Sequence, residues 1–243
     1  KKYMTSKKIK AALCISGEPR NDIDVFPYIH KHFLSNPQLD TDVYIHSLKY
    51  FKSLDLYKPK KCLVESNQEY EIINKVYDKI PNLDKILLLD SNHGNNTILM
   101  FYSFNKCFNL IEDKYDLYIK IRFDSYIPLS IDFSSYIKDI LNNKFDILIP
   151  KGDNEIKHWE DMKIFKGYND RIAIGNYKSF ELYSNTIYKL PEIVSNISRW
   201  FSHEILFYSL NTNNTKIFTP SLSTGILRSS KKEIDFYGET YNI

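Results

Sequence analysis

Short apolar runs of strand length alternate along this chain with segments whose apolar residues recur every three or four positions. Residues 8–15 read as a strand that stops at Ser16-Gly-Glu-Pro-Arg-Asn21. A helix follows, with Ile23, Phe26, Ile29, Phe33 and Leu34 on one face, Asn21 or Asp22 as its cap and Pro27 tolerable in its first turns. Residues 42–46, 61–65 and 85–90 are expected as further strands. Between the last two, Tyr70, Ile73, Val76, Tyr77 and Ile80 mark a helix that Pro81 ends. Residues 91–96 read as a loop and 97–112 as a helix that turns Leu99, Phe104, Cys107 and Leu110 inward.

The strand at 115–124 is the centre of the pattern: Leu117, Tyr118, Ile119, Ile121 and Phe123 are interrupted by Lys120 and Arg122 and closed by Asp124. In open α/β sheets ligands sit beyond the carboxyl ends of the strands, so charges placed there face a ligand. A short helix at 133–141 and a buried strand at 144–150 follow, then a polar loop over 151–167 that holds Asp153, Glu155, His158, Trp159, Glu160 and Asp161. The remainder reads as a strand within 168–176, a helix over 177–188, a helix opened by Trp200-Phe-Ser-His-Glu204, and strands at 216–218 and 225–228. Strands alternating with helices imply a mainly parallel sheet flanked by helices.

Composition narrows the partners. The chain has 243 residues, enough for one large α/β domain, and no shift in composition divides it. With 33 basic and 30 acidic residues, net +3, no long-range field marks a nucleic-acid or membrane-surface binder, while a small anionic ligand stays open. Five of the basic residues are arginines (Arg20, Arg122, Arg171, Arg199, Arg228), and a guanidinium fork suits phosphate and carboxylate. Three cysteines, Cys14, Cys62 and Cys107, have neither paired nor metal-like spacing. With no leader pattern of charged, apolar and small residues and no run near the ~18 apolar residues of a membrane span, a cytoplasmic location without a membrane span is expected.

Phosphate-binding P-loop, dinucleotide-binding glycine, serine-nucleophile elbow and zinc-protease helix motifs are all missing from the sequence. What remains is a sheet edge with arginines, scattered carboxylates and polar loops, which suits a diphosphate-bearing ligand and a sugar-like substrate. Ser16, Gly17 and Arg20 form a loop that offers backbone N–H groups and a fork to a phosphate. Judged alone, the loop reads more readily as an ordinary strand-to-helix turn. His46 ends its strand where it can meet a base or phosphate, or serve as a structural hydrogen bonder.

Four pieces in order, Cys14-Ile-Ser-Gly-Glu-Pro-Arg20, Asp42-Val-Tyr-Ile-His46, the 115–124 strand and Asn169-Asp-Arg-Ile-Ala-Ile-Gly175, resemble GT-A-type glycosyltransferases of capsule and viral glycan biosynthesis. The resemblance spans residues 9–228. It implies a Rossmann-like α/β fold, a nucleotide-sugar half (about 1–124) and a more irregular acceptor half (about 125–243) within one domain. It also implies a nucleoside diphosphate sugar donor, a glycan or other hydroxyl acceptor, and a host-cytoplasmic setting if the source is viral. By the same resemblance Asp124 is the last residue of an Asp-x-Asp motif whose first position holds Arg122.

With one carboxylate of the pair gone, two possibilities stand. Either Asp124 holds Mn²⁺ or Mg²⁺ with help from the diphosphate and His203, or arginines, with Arg228 reaching back, replace the cation. For an inverting transfer the candidate bases are Asp170 and Glu204, then Asp161, with Glu160 beside it. Capping is the competing role of Glu204, solvation that of the loop acids, and a purely structural pair that of Arg122 and Asp124. A nucleotidyltransferase or sugar-nucleotide enzyme and a non-catalytic carbohydrate-binding module are the alternatives. The module is suggested by an aromatic content of 15%.

Overall fold

The computed structural model describes residues 7–81, 83–150, 155–157, 164–211, 214–222, 224–228, 233–236 and 239–242. In β1 (Ile9–Gly17) successive side chains enter opposite cores: Ala11, Leu13 and Ile15 on one face, Ala12 and Cys14 on the other, all fully buried. α1 (Asp22–Ile29), continued by a wider π turn over His30–Leu34, leads into β2 (Leu39–Ser47). α2 (Leu54–Tyr57), β3 (Lys61–Val64), α3 (Glu69–Tyr77) and α4 (Leu83–Phe108) precede β4 (Leu117–Arg122).

The second half has shorter strands: β5 (Ser125–Tyr126), α5 (Ser134–Leu141), β6 (Ile147–Leu148), the hairpin β7 (Glu155–Lys157) and β8 (Ile164–Lys166), and β9 (Ile172–Gly175). α6 (Tyr177–Ser184), α7 (Thr186–Ile197) and α8 (Ser202–Asn211) then pack on the sheet. β10 (Ile217–Phe218), β11 (Gly225–Arg228), β12 (Glu233–Phe236) and β13 (Glu239–Asn242) complete the described elements.

Seven strands form the main sheet in the order β10-β6-β9-β4-β1-β2-β3. β3, β2, β1 and β4 run parallel, whereas β9 is antiparallel to both of its neighbours, β4 and β6. A second, antiparallel sheet has the order β13-β12-β11-β5. One apolar core lies between the main sheet and α3, α4, α6, α7 and α8, and the other lies against α1 and α5. No helix among the described residues is long and apolar enough to cross a membrane.

The expected strand at 85–90 and loop at 91–96 are instead parts of the one helix α4. A short leucine run fits either element, and leucine is a strong helix former. Gly94, a loop signal in the sequence, is a packing residue: a Cβ there would stand 2.7 Å from Tyr77 Oη and 3.1 Å from the Trp200 ring. The expected loop at 151–167 contains the β7–β8 hairpin. The helix expected over 177–188 is two helices that meet at Asn185.

Candidate active site

An antiparallel strand begins where its parallel neighbour ends, and this topology gathers the site. β4 terminates at Arg122, and the chain entering β9 brings Asn169, Asp170 and Arg171 beside it, with Arg122 N–H donating to the Arg171 carbonyl at 3.3 Å. On the other side of β4, Ser16 of β1 lies in register with Arg122. β11 closes the end, since Leu227 N–H donates to the Asp124 carbonyl and Asn21 Nδ2 to the Leu227 carbonyl. The resulting cleft, about 450 Å³, is lined by Ser16, Gly17, Glu18, Arg20, Lys49, Arg122, Asp124 and Asp170, with His93, Asn96 and Thr97 of α4 opposite. Gly17 turns out of the strand with φ +113°, a conformation that side chains other than glycine rarely adopt.

The floor is a layer of buried charge. Arg122 Nε and Nη2 each donate to one oxygen of Asp124 at 2.9 Å, and Nη1 lies 3.7 Å from Asp170 Oδ1. His203 Nε2 stands 3.5 Å from that same oxygen. Behind them Lys120, 1% exposed, donates to the Asp170 backbone carbonyl and lies 5.5 Å from the centre of the Tyr183 ring. Burial pulls the Lys120 ammonium down to about 8 against the attraction of Asp170. Burial alone would raise the Asp170 carboxyl, but His203, Arg122 and Lys120 hold it well below the ordinary carboxylate range. For Arg122, burial opposes the charge and the two aspartates outweigh it, so its pKa is raised.

Of the residues singled out in the sequence, Ser16, Gly17, Arg20, Arg122, Asp124 and Asp170 do meet at this cleft. Arg20 stands at the rim, where it and Lys49 both hold the Glu18 carboxylate. His46 does not face the cleft. It is fully buried beneath it, its Nδ1 accepting from Ser103 at 2.7 Å and its Nε2 donating to Glu65 at 2.8 Å, while Ser103 Oγ accepts from the Gly17 N–H. Glu204, 3% exposed, is gripped by both arms of Arg199 at 2.5 and 2.8 Å, an ion pair inside the helix packing rather than a group at the cleft. Arg228 ends β11 opposite Glu233. Its side chain, and Glu160 and Asp161, lie outside the described residues. Lys49 and Glu18 have no signature of their own in the sequence, and Lys120 reads there only as a strand-end charge. A lysine inside an apolar strand was the available signal.

The side chains of Asp124 and His203 do not by themselves form the expected Mn²⁺ or Mg²⁺ site. Both oxygens of Asp124 accept from Arg122, and His203 faces Asp170. Among the described residues no three His, Cys, Asp or Glu side chains gather in a way that could hold a metal ion. A hard divalent ion here would take most of its oxygen ligands from a bound diphosphate and water.

No protein-family model matches the chain, and no curated protein matches it. Solved structures do. Core-mannan synthase A (CmsA/Ktr4) from Aspergillus fumigatus, in its Mn/GDP form, is similar at 12% identity with a TM-score of 0.54, over 100% of this chain and 82% of that one. The mannosyltransferase Ktr4p from S. cerevisiae is similar at 10% identity with a TM-score of 0.53, over 96% of this chain and 73% of that one. The likeness bears out the fold expected from the four motifs, a GT-A type of α/β architecture with a mostly parallel sheet flanked by helices.

Proposed function

We propose that the chain is a glycosyltransferase that moves a sugar from a nucleoside diphosphate sugar to a hydroxyl of a glycan or other acceptor. The observation that carries this reading is the cleft at the carboxyl ends of β1 and β4, where a glycine-bearing loop, Arg122 and two buried aspartates converge. The same position in open α/β sheets is where nucleotide ligands bind. Ser16, Gly17 and Arg20 receive the nucleotide, with Lys49 at the rim. Arg122, oriented by Asp124, faces the diphosphate. The likeness to fungal mannosyltransferases agrees with this reading through the fold. The four sequence motifs extend it to the capsule and viral glycan kind, and the cytoplasm is the proposed setting.

Asp170 is the base of an inverting transfer. The acceptor oxygen attacks the anomeric carbon, the bond from that carbon to the diphosphate breaks on the opposite face, and the acceptor proton passes to the Asp170 carboxylate. Because its neighbours hold Asp170 ionised, it is ready to accept at neutral pH. As a weak base it takes the proton late, after the new bond has begun to form.

A thermal-shift panel of UDP, GDP, CMP and their sugars tests the donor site. One nucleoside diphosphate at about 100 times its Kd is expected to stabilise the fold by ~2.7 kcal/mol. No shift with any of them removes the reading. A shift with nucleoside triphosphates alone, with release of pyrophosphate, assigns the fold to a nucleotidyltransferase instead.

A further inference from the structure

Arg122 stands where the family this sequence resembles places a metal-binding carboxylate, and two buried aspartates face it. Its Nε and Nη2 cover both oxygens of Asp124 at 2.9 Å, and its Nη1 is 3.7 Å from Asp170. A guanidinium has five N–H donors, and two are spent on Asp124. The side chain remains 25% exposed and lines the cleft, so part of it is open to a ligand there. Asp124 fixes the plane of the fork, which matches paired phosphate oxygens.

The charge at this floor is already balanced. Against the carboxylates of Asp124 and Asp170 stand Arg122 and the buried Lys120, with His203 3.5 Å from Asp170. A divalent ion taking the Asp124 oxygens would compete with the guanidinium that already holds both of them in a buried pair, a costly exchange. The floor's own carboxylates are already matched by Arg122 and Lys120, so the negative charge for an ion here would have to come from the diphosphate itself.

Resting on the glycosyltransferase reading, we propose that the Arg122 guanidinium takes the place of a divalent ion at the donor diphosphate, so that nucleotide binding by this chain is independent of metal. Asp124 is then a positioning residue for Arg122 rather than a metal ligand.

Calorimetric titration of the wild-type chain with UDP and with GDP, once in EDTA and once in MnCl₂, tests this. The expected result is one nucleotide whose Kd agrees within about threefold between the two buffers. Tightening by Mn²⁺ of about tenfold or more overturns the proposal and leaves the donor site standing. Absence of binding by either nucleotide in both buffers removes the donor site and this inference together.

Two variants sharpen the result. Arg122→Gln is expected to weaken binding about tenfold or more in both buffers, the loss of a charge-assisted hydrogen bond, and binding equal to wild type overturns the proposal. Arg122→Asp, which restores the paired carboxylates, is expected to bind only when Mn²⁺ is present. Where circular dichroism shows that this second variant does not fold, the wild-type comparison and Arg122→Gln decide.

Discussion

Asp170 is 4% exposed, yet its carboxylate lines the cleft, and three cationic or hydrogen-bonding neighbours keep it charged. Glu204 looked equally suited in sequence, since both are acids beside apolar elements. What separates them is that both Glu204 oxygens are taken up by Arg199, away from the cleft. Asp170→Asn is therefore expected to lower turnover by about 10²-fold or more with donor binding retained, as measured by initial rates beside calorimetric titration. Glu204→Gln is expected to keep turnover and to lose about 1–3 kcal/mol of stability in urea unfolding, because the buried charge-assisted hydrogen bonds from Arg199 lose their carboxylate. Retained activity in the first variant, or lost activity in a folded second one, reverses the two roles.

β9 delivers Asp170, and its placement depends on a glycine at its far end. Gly175 lies in register with Ile147 of β6, and a Cβ there would meet the Asp146 carbonyl oxygen at 2.8 Å and Ile147 Cα at 3.2 Å. These are backbone atoms and cannot swing aside. Gly175→Ala is expected to destabilise the chain by roughly 1–3 kcal/mol, the usual range for overpacking, in chemical denaturation. Unchanged stability would show that β6 and β9 part easily. The fate of residues 85–96 carries the opposite lesson about glycine. There a glycine and several asparagines suggested a loop, but Gly94 lets α4 pack against Trp200 and Tyr77, a reason that lies in other elements and has no local signature.

The molecule as a whole is tied together under the cleft by a relay: Gly17 N–H to Ser103, Ser103 to His46, His46 to Glu65, with Tyr102 also donating to Glu65 at 3.0 Å. It joins the first loop, β2, α4 and the end of β3. Burial lowers the His46 pKa below 6.5 in spite of Glu65. Below about pH 6.5 the unfolded chain therefore takes up a proton that the folded chain resists, and stability falls as pH falls through that window. His46→Gln is expected to be less stable at pH 8 yet to lose less between pH 7 and pH 5, as followed by thermal unfolding. Equal slopes in the two proteins would remove His46 from that pH dependence.

The sequence by itself determined the alternation of elements, the two-faced apolar strands of the main sheet, the β1 loop and the charged end of β4, because these follow from local periodicity and turn chemistry. It also determined that an arginine precedes Asp124 where a carboxylate was expected. Only the tertiary structure decided that Asp170 meets Arg122 and that His46 lies beneath the cleft rather than in it. The same holds for Glu204, bound to Arg199, and for α4, which is continuous. Each depends on which strand runs antiparallel beside which, and on atoms far apart in the chain competing for the same partner. Such contacts leave no period in the sequence.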